Sequence, residues 1–465
     1  MENDKLENAY RTLFPKIEFA IIQRAKFKYI KELHRPIIRL LLPVIIDADN
    51  SKVEAKETRI PKYRPTSSSQ LKEAIYEEYF YKFLVLLLKS NGDCCKKTLL
   101  DASFFSDLKH EKLNINAKRI LFYRCNYTFL EYFLSSLRQL SFPRKQTIPK
   151  VIFDDINIYT PPEEGRNKVE KYANIIISLL PVNLTSLLDQ NIDILSGYAE
   201  HLNEVHSTSA FFNNDIFKIL CYLVSQRNGK IWFGQHGGGF NVLKSLNSRD
   251  MIYDLATDVK FWSCQFSNNK TREKNKINIR LPKIKPYFGQ RPKITFIEYN
   301  WPDYRVDLAS IPQSNQVKQM RKQNSIFLRG SLHEVVMCLY PDKSANKRKE
   351  EYKKSMNEGS CFKSEGESTR DCLNSSSLMV TNIPNTVFYQ CVLYDYPVVL
   401  WEAPGVKFDA SFAQVRSLLI KAGIIHLDVE SATYFVNEVC VEEWWNSKPV
   451  RIAVKEVRAF LLGIR

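Results

Sequence analysis

Apolar positions recur at helical spacing through Leu13–Tyr29 and again through Leu71–Leu88, so the first 90 residues read as helical. A polar link, Asp47–Gln70, separates them and carries Pro61, Pro65 and three consecutive serines. Further on, Ile120-Leu121-Phe122-Tyr123 reads as a strand and Phe129–Leu140 as a helix, whereas the prolines between 141 and 170 predict loops. Ile175–Leu180 is a short apolar run compatible with either type. Asp215–Gln226 predicts an amphipathic helix that runs into Lys230-Ile231-Trp232-Phe233-Gly234, a buried strand. Met251–Asp254 and Val259–Ser263 predict another helix-to-strand step, and the basic stretch 267–292 a connection between domains.

A second α/β series follows. It consists of strand Ile294–Glu298, helix Ser314–Arg329, strand Val335–Tyr340 and a highly charged helix, Ala345–Met356. After a loop rich in Gly and Ser come strand Leu378–Thr381, helix Val387–Leu393 and strand Pro397–Trp401. Helices over Ser431–Trp445 and Val450–Leu462 close the chain. Strands alternating with helices indicate parallel sheets, and 465 residues exceed what one compact core organises, so two α/β domains are expected.

Composition changes this picture little. The hydrophobic fraction of 44% and charged fraction of 25% are those of a globular protein. No apolar run reaches the roughly 18 residues that span a bilayer, and the polar, acidic start does not read as a secretory signal. The ten cysteines lack metal-ligand spacing and read as reduced thiols of a cytoplasmic protein. A net charge of +16 suits anionic partners: a nucleotide-sugar diphosphate, an anionic membrane surface or nucleic acid. The basic stretches Lys270–Lys293 and Lys343–Lys354 have no aromatic interleaving, so nucleic acid is not expected and they read as solvated faces.

Candidate chemistry concentrates where the Lys230–Gly234 strand ends in Gln235-His236-Gly237-Gly238-Gly239. Three successive glycines let the backbone turn sharply and let a ligand approach the main chain. Open α/β sheets bind ligands at such carboxyl strand ends. A tight structural turn with a surface histidine is the alternative. The second candidate is Asn382-Ile383-Pro384-Asn385-Thr386, a polar loop before a helix, where helix amides can meet a phosphate. A plain crossover with Asn385 as N-cap is the alternative there.

In order and spacing these motifs resemble a family of transferases from bacterial surface-carbohydrate (O-antigen type) gene clusters. The resemblance rests on the Gln235–Gly239 loop, on an aspartate (Asp254 or Asp258) before Phe261-Trp262, and on Asn385-Thr386-Val387-Phe388-Tyr389-Gln390 followed by Pro397–Leu400. Ile294–Gln313 and the Trp444-Trp445 pair also match, and the likeness is closest from Pro181 onward. It implies a GT-B-like architecture, two Rossmann-like domains facing across a cleft, with a mostly helical N-terminal segment. The expected domains are 1–285 on the acceptor side, 286–445 on the nucleotide-donor side, and a C-terminal helix, 446–465, returning to the first.

The implied activity is transfer of a sugar or related group from a nucleotide-activated donor to a saccharide or lipid-linked saccharide. Neither metal nor cofactor is expected, because amides, helix dipoles and basic side chains can hold a diphosphate. The implied location is cytoplasmic, with peripheral contact to an anionic membrane face as an option.

On this reading His236 and Asp254 are the catalytic candidates. His236 acts as general base on an acceptor hydroxyl or as donor to a phosphate oxygen, since an imidazole titrates near pH ~6.5, and Asp254 orients it. Gln235, Gly237, Gly238 and Gly239 position the substrate; Asn385, Thr386 and Gln390 bind the donor. A structural histidine and a surface carboxylate are the alternative readings of the first pair.

Three departures from the family pattern stand out. Gln390 replaces a Glu, so a neutral amide meets the ribose hydroxyls. Cys338 replaces an Arg. The family's opening strand has no counterpart before Asn8–Leu33, which implies a first sheet with an exposed edge. These departures keep open a second reading, an inactive homologue that binds sugar nucleotides or acts as a scaffold.

Overall fold

The computed structural model describes residues 3–25, 33–50, 112–115, 120–122, 138–141, 168–180, 188–208, 214–234, 242–244, 256–260, 293–299, 314–341 and 344–462. It also describes the single positions Leu71, Tyr81, Leu84, Val85, Leu88, Leu184, Ala210 and Pro286. The chain divides into two compact units, one holding the elements up to residue 260 and the other those from 293 onward together with Val242–Lys244.

The first unit opens with α1 (Asn3–Ala25) and α2 (Arg35–Asp49). The buried face of α1 is a helical stripe, Leu6, Tyr10, Phe14, Ile17 and Ile21; the spacing expected over Leu13–Tyr29 covers its second half, and residues 26–29 lie outside the described residues. The apolar run Ile37–Ile46 is the body of α2, buried along nearly its whole length despite Pro43. Leu71, Tyr81, Leu84, Val85 and Leu88 are helical and buried, in keeping with the expected helix.

The sheet of this unit contains β1 (Lys112–Ile115), β2 (Ile120–Phe122), β3 (Arg138–Ser141), β4 (Glu204–Ser207), β5 (Lys230–Gly234) and β6 (Asp258–Lys260). Their order is β3-β1-β2-β4-β5-β6, with β1 antiparallel to β2 and β3 and the rest parallel. Residues 138–141 correct the expected helix at its end, because Arg138–Ser141 pairs with β1 across four residues. All but the last residue of the ambiguous run 175–180 lies in helix α3 (Lys168–Leu179), which packs on α1. Helix α4 (Leu188–Ala199) and strand β4 were not anticipated, and α5 (Asp215–Ser225) was. The Asn214 side chain caps α5 by accepting from the Phe217 amide at 2.7 Å.

The second sheet is built from β7 (Lys293–Ile297), β8 (Glu334–Cys338), β9 (Cys361–Phe362), β10 (Leu378–Thr381), β11 (Val398–Trp401) and β12 (Ile425–His426). Every pairing is parallel, in the order β12-β11-β10-β7-β8-β9. Numbered from β7 this is 6-5-4-1-2-3, the doubly wound Rossmann order. The stretch expected to be loop contains β9 and helix α8 (Thr369–Asn374), after α6 (Ser314–Gly330) and α7 (Ala345–Lys353). Helix α9 (Thr386–Tyr394) links β10 to β11, and α10 (Ala413–Lys421) precedes β12. The final segment holds α11 (Val429–Glu438), α12 (Val441–Asn446) and α13 (Lys448–Leu462). The helix expected over 431–445 is thus two, parted at Val439-Cys440.

Side chains alternate across this sheet, as the pleat requires. Met379, Val398 and Leu400 face a core shared with α9, α10 and α13. Leu378, Val380, Val399 and Trp401 face a second core with α6 and α11, where the Phe296, Phe327 and Trp401 rings pack with centroids 5.2–5.4 Å apart. Both faces being covered explains why β7, β8, β10 and β11 read as almost continuous apolar runs. The closing helix α13 lies against α9, α10 and α12 of this unit. Its stripe Val450, Ala453, Val454, Val457, Phe460 and Leu461 is buried there.

Among the described residues no helix is long and apolar enough to cross a membrane.

Candidate functional site

In a doubly wound sheet the loops diverge where the strand order reverses, and that opening lies at the carboxyl ends of the strands. Here the reversal falls between β7 and β10, which pair in register Ile297↔Thr381. The polar residues that follow these two strands are therefore the first to consider.

Beyond β10, the Thr381 hydroxyl donates to Ile297 O at 3.0 Å and ties the two strand ends together. Asn385 Nδ2 donates to Thr381 Oγ1 at 3.1 Å, and Asn385 Oδ1 accepts from the Phe388 amide at 2.9 Å. Asn385 is thus the buried N-cap of α9, with both ends of its amide engaged. The amides of Thr386 and Val387 belong to the first turn, which has no intrahelical acceptor for them. Thr386 and Gln390 are half-buried and stand one turn apart on the same face of α9.

Beyond β7, Glu298 is wholly buried and meets Arg348 of α7, also wholly buried. Arg348 Nε donates to the two carboxylate oxygens at 3.2 and 3.0 Å. Its Nη2 donates to Tyr340 O at 2.8 Å, and Nη1 donates to the Ser344 hydroxyl. Tyr352 Oη donates to Glu298 Oε1 at 2.8 Å and accepts from Asn324 Nδ2 at 3.0 Å. Asn382 Nδ2 donates to Asn324 Oδ1 at 2.8 Å. This chain of contacts joins the ends of β7, β8 and β10 to α6 and α7. Burial pushes the Glu298 carboxyl above the ordinary range, against the pull of Arg348 and Tyr352. Burial, then Glu298, pushes the Tyr352 phenol up. One buried atom of this network, Asn382 Oδ1, makes no hydrogen bond.

The stretch 343–354, read as a solvated basic face, is therefore only partly so. Arg348 and Tyr352, four residues apart, form the inward stripe of an otherwise charged helix. Cys338 ends β8 inside the core as a free thiol, pushed up by burial and then by the neighbouring Cys372 thiol, so it offers no cation there. At the end of β11, Glu402 binds Arg416 in a two-pronged pair at 2.5 and 2.7 Å, and the guanidinium lies 5.4 Å from the Phe408 ring centre.

The glycine loop follows β5, which ends at Gly234. Gln235, His236, Gly237, Gly238, Gly239 and Asp254 lie outside the described residues. The other candidate aspartate, Asp258, opens β6 opposite Trp232. Past the loop the chain is held by the second unit. Leu243 bridges Phe408, Lys244 N donates to Lys407 O at 3.0 Å, and Asp409 N donates to Val242 O at 2.7 Å.

Of the residues expected from sequence, Asn385, Thr386 and Gln390 come together at the start of α9. Glu298, Arg348, Tyr352 and Asn324 were missed, and Asn382, named only as part of the polar loop, turns out to be their partner through Asn324. The one signal for them was a carboxylate closing the apolar strand Ile294–Ile297. Among the described residues no three His, Cys, Asp or Glu side chains are grouped to hold a metal ion.

A search of curated proteins found no match to the chain. A family model described as LIC12162 family transferase matches residues 2–462 and so spans both units, the glycine loop and the α9 loop alike. With the match running from end to end, the chain belongs to the LIC12162 family of transferases.

Proposed function

We propose that the chain is a glycosyltransferase-like enzyme of bacterial surface-polysaccharide synthesis. It transfers a sugar or related group from a nucleotide-activated donor to a saccharide or lipid-linked saccharide. The observation that carries this reading is the reversal of strand order between β7 and β10, directly before the amino end of α9. A helix amino terminus at a switch point favours a diphosphate, because its amides and dipole both point at the anion.

On this reading the arrangement is GT-B-like, with the donor on the second unit and the acceptor on the first. The α9 backbone amides and the Thr386 hydroxyl hold the diphosphate. Asn385 acts through the cap it makes rather than through a free side chain. Gln390 meets the ribose through its neutral amide. His236 removes the acceptor proton or donates to a phosphate oxygen. Asp254 orients it, and Gln235 with the Gly237–Gly239 amides positions the substrate. The enzyme works in the cytoplasm, where its basic charge favours an anionic membrane face.

The test is a thermal-shift screen against UDP-, GDP-, CMP- and dTDP-sugars, because a ligand that binds only the folded state raises the melting temperature. We expect a shift with one nucleotide class that is reduced in Thr386→Ala, a change that leaves the Asn385 cap intact. No shift with any donor, from folded protein, would sink this reading. Binding without transfer would favour the inactive homologue, for which Gln390 and the buried Cys338 speak.

A further inference from the structure

Two tyrosines follow β7 and β8 at equivalent positions. Tyr299 stands two residues past Ile297 and Tyr340 two past Cys338, and Ile297 and Cys338 are register partners. The rings lie side by side, centroids 5.3 Å apart and planes inclined by 38°. Tyr299 is half-buried against Met320, Ile383 and Ala403, so it reaches the loop between β10 and α9. Tyr340 is 43% exposed. A single exposed aromatic is ordinary on a protein surface. This one is backed by a second ring and held at its backbone.

What holds it is the buried network. One guanidinium, that of Arg348, bonds Glu298, the residue before Tyr299, and also Tyr340 O. A buried ion pair adds little net stability, because desolvation offsets the attraction. Its effect here is geometric: it fixes the two chain ends that carry the rings.

We propose that Tyr340, backed by Tyr299, is the platform on which the base of the nucleotide donor stacks. This rests on the nucleotide-donor reading above. β8 and β10 stand two strand spacings apart, roughly 10 Å. A nucleotide spans that interval between its base and its phosphates, so phosphates at α9 and a base on Tyr340 belong to one ligand. Stacking on an exposed ring is tolerant of which base is present, so the platform supplies affinity and the choice of base lies with other groups.

Isothermal titration of the full chain with UDP, GDP, CMP and dTDP tests it, alongside Tyr340→Ala and Tyr340→Phe. For the nucleotide that binds the parent protein, Tyr340→Ala should weaken affinity roughly 5- to 150-fold at an unchanged melting temperature. Tyr340→Phe, which keeps the ring, should bind as the parent does. Parent-like affinity in Tyr340→Ala would overturn the platform and leave the donor reading standing. Equal losses in Ala and Phe would overturn it too, since the hydroxyl and not the ring would then be the contact. If the parent protein bound none of the four nucleotides, the donor reading itself would fail and the platform with it.

Discussion

Replacing Arg348 by Met removes the centre of the buried network. The guanidinium donates to both oxygens of Glu298, to Tyr340 O and to the Ser344 hydroxyl, and the side chains of Arg348 and Glu298 have 0% exposure. Met fills a similar volume, so the main cost is a carboxylate left buried without its counter-ion. Breaking a buried pair in this way costs about 3–5 kcal/mol. For a unit of this size each kcal/mol moves the midpoint by about 2–4 °C, so the second unit's transition should fall by about 6–20 °C.

The loss should also depend on pH. Burial already raises the Glu298 pKa, and Arg348 is the largest of the influences that lower it. Without Arg348 the folded carboxyl keeps its proton to a higher pH than the unfolded chain does. The unfolded state then binds fewer protons, so the variant loses stability as pH rises from the ordinary carboxylate range through the raised folded value. The deficit against the parent should therefore be smallest at the acid end of that interval and grow as pH rises through the raised folded value. Adding Glu298→Gln, which removes the charge and keeps the shape, should restore part of it. Differential scanning fluorimetry across that range reads the parent and both variants. A fall under about 3 °C, or an equal fall at both ends of the range, would refute the reasoning that an unpaired buried charge sets the cost.

Two further outcomes follow from residues elsewhere. His236→Ala should lower transfer by about 10²-fold or more at unchanged melting temperature; turnover at the parent rate would mean that His236 is structural. Asp395, the left-handed C-cap of α9 (φ 65°), accepts from Trp445 Nε1 at 3.1 Å and pairs with Arg451 and Arg458 of α13. Burial raises its pKa, but the arginines and Trp445 outweigh that and hold it below the ordinary value. Its contribution is therefore present above the unfolded carboxylate pKa and lost as pH falls through the lower folded one. Asp395→Ala should destabilise by about 1–2 kcal/mol at neutral pH, with a smaller deficit in acid, as read by urea denaturation. No change at neutral pH would show that the solvent-facing pair is already screened.

The sequence by itself determined the second unit's repeating pattern. Strands β7, β8, β10 and β11 are apolar on both faces, so they announce themselves as buried strands between helices. The polar run Asn382–Thr386 reads correctly as a strand–loop–helix junction because capping is local chemistry. Short elements escaped it: β9 and β12 have two residues each and draw their order from neighbouring strands, not from any pattern of their own. Arg138–Ser141 is a strand because β1 lies beside it, against a local sequence that suggests a helix.

The candidate site divides along the same line. Thr386 and Gln390 share a helix face because of their four-residue spacing, which the sequence carries. Glu298, Arg348, Tyr352, Asn324 and Asn382 come from four separate elements, and nothing local marks them as partners. Arg348 looks like one more charge on a charged helix until the fold supplies a buried carboxylate opposite it. Tyr299 and Tyr340 become a pair only through the register of β7 with β8. Periodicity records which face of an element is apolar, and only the packed chain decides which polar group on one element meets which on another.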